Sequence, residues 1–226
     1  MPLLISYINL PERSDRHDHM ESLLRNCAHQ VTRIEGIRLA TSPEESGLRM
    51  QQPFTGSKSI ASIFLSHRKA LEQAHNSALS GGFVLLEDDC QFTTSAFNRA
   101  LRLKNPPDDW DIIMVSPRFR DRAEAAMPRK KLTLRDRLNP FRKSRWKRPL
   151  KKAGYVKLSL LMDQFVVSGA HFVIFKDKTS IAKVLDKMDK LEGLYHVDYF
   201  YAGAFNTYGI DVKGVMAGGF GSDNAS

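Results

Sequence analysis

The run Phe83-Val84-Leu85-Leu86 offers no polar side chain to either face of an extended chain, and it stops abruptly at Glu87-Asp88-Asp89. A strand of that kind has to be covered on both sides, as in a sheet sandwiched between helices. The same short apolar character returns at Leu3–Leu10, Asp111–Val115, Gln164–Val167 and Ala170–Phe175. Between these runs lie stretches with helical spacing. Lys58–Leu79 is the clearest, with Ile60, Ile63, Phe64, Leu71, Ala74 and Ala78 on one stripe and Gly81-Gly82 beyond its end. Ser14–Asn26, with Ser14 as N-cap, and Thr94–Leu103, Thr179–Leu191 and Val197–Tyr208 also read as helices. Val31–Ile34 and Ile210–Val215 read as short strands. Strands alternating with helices predict an α/β fold with a mostly parallel central sheet, formed as a single domain over residues 1–226.

Charge is concentrated in one place. Residues 118–152 carry fifteen basic side chains against three acidic ones, a local +12, so the rest of the chain nets −3 of the total +9. Pro128, Pro140 and Pro149 rule out one continuous helix there. The stretch reads as a basic insertion leaving the globular body, with Phe141 and Trp146 among its apolar residues. Its expected partner is an anionic membrane surface rather than nucleic acid. Cys27 and Cys90 make no disulfide framework and match no zinc spacing, which fits a reduced, cytoplasmic setting. No apolar run approaches the length of a membrane span, and the opening residues lack a basic region and a cleavage motif.

Three consecutive carboxylates at the end of a buried strand lie where open α/β sheets bind ligands. In extended geometry Glu87 and Asp89 share one direction, and their oxygens suit Mg²⁺ or Mn²⁺, which in turn would hold a diphosphate. A solvated acidic turn is the plain alternative. Arg13 and Arg16 follow the first strand at the start of a helix, a setting that suits phosphate. His67 lies in mid-helix, Asp198 near a helix start, and His171 in a strand; none of the three stands alone as a site.

Taken together, these residues resemble glycosyltransferase family 25, which includes lipo-oligosaccharide β-galactosyltransferases. Its opening block is similar to Ile8-Asn9-Leu10 with Arg13, Asp15 and Arg16, and its second block to Phe64-Leu65-Ser66-His67 with Lys69-Ala70-Leu71. Its acidic block is similar to Val84–Asp89, and later blocks to Gly169-Ala170-His171-Phe172-Val173-Ile174, Val197-Asp198-Tyr199 and Phe220-Gly221-Ser222-Asp223. The chain departs from the family at Ser62-Ile63, where a Gly-Cys pair is usual, and at His196, usually Pro. The resemblance implies a GT-A type, Rossmann-like fold and an inverting, metal-dependent transfer of a hexose, galactose from UDP-galactose, to a saccharide or glycolipid acceptor. The setting would be lipopolysaccharide or other surface glycan synthesis, at the inner face of the cytoplasmic membrane.

On this reading Glu87 and Asp89 hold the metal and Asp198 is the catalytic base. Asn9, Leu10, Arg13, Arg16, His67, Asp88 and Gly169 contact the donor. Two competing readings are a metal-dependent phosphohydrolase or nuclease, and a non-enzymatic module binding anionic membrane or nucleic acid through residues 118–152.

Overall fold

Residues 3–78, 80–122, 146–147, 149–150 and 154–217 are described by a computed structural model. In chain order the first half gives β1 (Leu4–Asn9), α1 (Ser14–Leu24), β2 (Gln30–Glu35), α2 (Lys58–Asn76), β3 (Phe83–Glu87), β4 (Cys90–Phe92), α3 (Thr94–Leu101) and β5 (Ile112–Val115). The second gives β6 (Arg118–Asp121), β7 (Trp146–Lys147), β8 (Val156–Lys157), a 3₁₀ turn at Leu158–Leu161, β9 (Phe165–Ser168) and β10 (Phe172–Phe175). α4 (Lys178–Asp189), α5 (Val197–Ala204), β11 (Thr207–Ile210) and β12 (Val215–Ala217) follow.

The central sheet has seven strands in the order β2-β1-β3-β10-β5-β11-β8. Five run one way, while β10 and β8 run against their neighbours. The sheet is therefore mostly parallel in direction, with an antiparallel strand through its middle. Ala170–Phe175 was expected to be a strand throughout. It starts only at Phe172, because Gly169 at φ +99° turns the chain just before it.

Side-chain alternation along β3 explains the layers. Phe83 and Leu85 enter one core with Phe64, Leu71 and Ala74 of α2, Ile181 and Val184 of α4, and Phe200 and Tyr201 of α5. Val84 and Leu86 enter the other core, with Met20 and Leu24 of α1 and Ala96, Phe97 and Ala100 of α3. The apolar run thus serves two helical layers at once, and leaving it exposed on either side would forfeit roughly 25 cal/mol per Å² of apolar surface.

Three boundaries differ from expectation. Ser14 opens α1, and Arg13 holds the cap position without a side-chain cap bond. The expected helix Val197–Tyr208 stops at Ala204, where Thr207 Oγ1 donates to the Tyr201 carbonyl at 2.5 Å and the next residues join β5 as β11. The expected strand Ile210–Val215 is instead the end of β11 and the approach to β12, which pairs with β4. The loop after β2 is stapled to α2, because Ser66 Oγ accepts the Ile37 N–H at 2.7 Å and Ser62 Oγ the Leu39 N–H at 3.0 Å.

β6, β7 and β9 form a small antiparallel sheet, so the two ends of the basic stretch lie side by side. Residues 123–145, 148 and 151–153 of that stretch, with Phe141, lie outside the described residues, as do Phe220–Asp223. Among the described residues no helix is long and apolar enough to cross a membrane.

Candidate functional site

The acidic triplet is split by the pleat of β3. Glu87 continues the face of Leu85, toward α2 and α5, whereas Asp88 continues the face of Leu86, toward α1. The registers then choose the partners. β1 pairs with β3 through Ile8 and Glu87, so Asn9 falls beside Asp88. β10 pairs antiparallel with β3 through Phe172 and Leu86, so His171 falls beside Glu87, whose N–H donates to the His171 carbonyl at 2.9 Å.

On the α1 side, Asp88 is 7% exposed and both its oxygens are engaged. Arg16 Nη1 donates to Oδ1 at 2.8 Å and Asn9 Nδ2 to Oδ2 at 2.8 Å, while Asn9 also reaches the Arg13 carbonyl at 3.0 Å. Burial pushes the Asp88 carboxyl up, more than Asn9 and Arg16 bring it down. Three residues expected to face a donor thus hold one another, tying the strand end to the start of α1. Arg13 forms a two-point bond with Asp15 at 2.9 and 2.8 Å, and Leu10 closes the turn by accepting the Arg13 N–H at 3.0 Å.

On the other side, Glu87, Asp89 and His171 offer ligand atoms that all lie within 4.8 Å of one another. His171 Nδ1 donates to Glu87 Oε2 at 2.6 Å and lies 3.2 Å from Asp89 Oδ1. Burial opposes a charge on His171, but the Glu87 carboxylate beside it prevails and the ring is pushed up to about 10. Burial would likewise raise Glu87, yet the charge of His171, with help from His67, holds it well below the usual carboxylate range. A histidine raised in this way stabilises the fold fully below its ordinary value near 6.5, and that contribution is lost as pH rises through about 10.

Sequence reasoning expected Glu87 and Asp89 to point together, and they do; His171 completes the set. No sequence pattern identified it as a ligand, because its position follows from β10 running antiparallel to β3. The residues fit a divalent cation. Asp89 Oδ1 is buried and makes no hydrogen bond, with only the 3.2 Å ion pair to His171 Nδ1 against it, so a cation would complete its coordination. Two carboxylates with an imidazole suit Mn²⁺ better than Mg²⁺, which prefers all-oxygen shells.

Asp198, in the first turn of α5, joins this side through Oδ1, which accepts the Ala170 N–H at 2.6 Å. Burial raises its carboxyl, and the charge of Glu87 raises it further. His67 is fully buried and reaches Glu87 Oε1 at 3.3 Å through Nε2. Gly169 touches the site through its lack of a side chain: a Cβ there would lie 3.0 Å from His171 Cδ2, at a φ of +99° that other residues rarely adopt. Gly169→Ala is expected to displace the His171 ring and cost about 1–3 kcal/mol in strain. Thermal unfolding and Mn²⁺ titration would read the two effects separately.

No protein-family model matches the sequence, and no curated protein matches it either. Among solved structures the chain is similar to one titled "Crystal Structure of A197 from STIV", at 12% identity and a TM-score of 0.45. The match covers 93% of this chain and 82% of that one.

Proposed function

We propose that the protein is an inverting, metal-dependent glycosyltransferase of GT-A type that moves a hexose, galactose from UDP-galactose, onto a saccharide acceptor in surface glycan synthesis. The observation that carries the reading is the meeting, at one sheet edge, of the Glu87, Asp89 and His171 ligand set with Asp198. A divalent ion bound there would neutralise the leaving diphosphate.

Asp198 then has the proton to accept. The acceptor hydroxyl oxygen bonds to the anomeric carbon from the face opposite the diphosphate, the carbon–oxygen bond to diphosphate breaks with its electron pair, and the hydroxyl proton passes to Asp198. Asp198 Oδ1 is fixed by the Ala170 N–H at 2.6 Å, which sets the orientation of the carboxylate that takes the proton. Leu10, Arg13 and Gly169 stand as donor contacts in this proposal, while Asn9, Arg16 and Asp88 hold the edge in shape.

The phosphohydrolase or nuclease reading gains less support. Glu87, Asp89 and His171 are the single metal-ligating cluster among the described residues, whereas such enzymes commonly clamp two ions. The basic stretch serves in this proposal to hold the enzyme at anionic lipid on the inner face of the cytoplasmic membrane, where each basic residue near the surface contributes about 1 kcal/mol.

Thermal unfolding with a panel of nucleotide sugars tests the reading. A UDP-hexose at about a hundred times its Kd should stabilise the fold by roughly 2.7 kcal/mol, with Mn²⁺ required and EDTA abolishing the gain. Indifference to every nucleotide sugar, together with metal-dependent cleavage of phosphodiesters, would establish the hydrolase instead.

A further inference from the structure

His67 and Tyr201 are polar side chains from two different helices, both fully buried. A buried imidazole is tolerated when both nitrogens are paired, and here they are: Nδ1 meets the Tyr201 hydroxyl at 3.2 Å and Nε2 meets Glu87 Oε1 at 3.3 Å. Two apolar side chains of similar shape would fill this space at little cost or with a gain in stability. The polar pair therefore calls for a purpose other than stability, and its contacts end on one oxygen of Glu87.

The direction of the chain follows from what each group can do. A carboxylate only accepts, so Nε2 carries the hydrogen and donates to Oε1. Nδ1 is then the ring's acceptor and takes the Tyr201 O–H. Removing that hydroxyl frees the ring to adopt the other tautomer, with a lone pair facing the carboxylate. Glu87 is consequently gripped at both ends, by His67 at Oε1 and by His171 at Oε2.

Resting on the metal reading above, we propose that His67, oriented by Tyr201, is a positioning residue that fixes the Glu87 carboxylate so that Oε2 stays turned to the His171 and Asp89 side. Partners of this kind set the tautomer and orientation of ligands and typically carry about 10–100-fold in metal affinity.

The test is Mn²⁺ titration of the full chain, with free Mn²⁺ followed by electron paramagnetic resonance and metal-free thermal unfolding measured alongside. His67→Leu should weaken Mn²⁺ binding about 10–100-fold; because it leaves the buried Tyr201 hydroxyl unpaired, it is read beside His67→Leu with Tyr201→Phe, which should lose the same affinity at a higher metal-free melting temperature than His67→Leu alone. His67→Gln, which restores an N–H donor near Nε2, should recover most of the affinity even where it lowers the melting temperature. Tyr201→Phe, which removes one oxygen and leaves no large cavity, should weaken binding in the same direction by less, and it decides the matter if the Leu variant does not fold.

Wild-type Mn²⁺ affinity in His67→Leu, or losses that track melting temperature across the set, would overturn the positioning role while leaving the metal site standing. A wild-type chain that takes up no Mn²⁺ overturns both.

Discussion

Asp88→Ala is expected to destabilise the protein by about 3–5 kcal/mol, the usual consequence of removing one partner of a buried ion pair. In a domain of this size each kcal/mol is worth about 2–4 °C of melting temperature, so thermal unfolding should shift by well over 5 °C. The reason is positional. Arg16 and Asp88 have side chains only 7% and 9% exposed, and their 2.8 Å contact joins α1 to the end of β3. Removing the carboxylate takes from Arg16 the contact that ties α1 to the end of β3, and from Asn9 Nδ2 one of its two acceptors.

Buried ion pairs commonly add little net stability, because burial costs the two charges about what their attraction returns, and burial does push the Asp88 carboxyl up. It follows that Arg16→Met with Asp88→Leu should recover most of the loss, although either change alone is severe. A double variant no more stable than the singles would show that the two residues do not act as a pair.

Asp198→Asn is expected to lower turnover by about 10²–10⁴-fold with little change in stability. An amide oxygen can still accept the Ala170 N–H, so α5 and the turn at 169–171 stay joined, whereas the side chain can no longer take a proton. The pH profile gives a sharper reading. Burial, then the charge of Glu87, holds the Asp198 carboxyl above the usual carboxylate range. Activity should therefore rise with pH through that displaced value, because the ionised form is the one that accepts the proton. The limb should vanish in the variant. Near-normal turnover of Asp198→Asn at saturating acceptor would remove Asp198 as the base.

Much of the architecture was legible because short, largely apolar runs have few uses. Phe83–Leu86, Asp111–Val115 and Leu3–Leu10 all mark strands of the central sheet, within a residue or two. Val197–Tyr208 misled because Phe200, Tyr201 and Tyr208 satisfy a helical spacing, while Thr207 and Tyr208 equally suit a strand and β5 offered them an edge. Of the site, the shared direction of Glu87 and Asp89 could be read from alternation alone. The fate of Asp88 could not, because it depends on which helix covers the opposite face. His171 and Tyr201 were hidden for the same reason: His171 meets Glu87 through the direction of β10 and Tyr201 meets His67 through the seat of α5, neither of which leaves a local pattern.

The antiparallel strand β10 has a consequence for how the molecule comes into being. It lies between β3 and β5, so the two halves of the sheet share no hydrogen-bonded border until residues 172–175 arrive. By then the ribosome has already delivered the whole basic stretch, with two strand edges still open to other chains. Pairing over such sequence distances is slow and aggregation-prone. His171 enters with the same strand, beside Glu87. Closure of the sheet and assembly of the ligand set are thus one event, and a nascent or partly unfolded chain cannot hold the metal centre without the sheet.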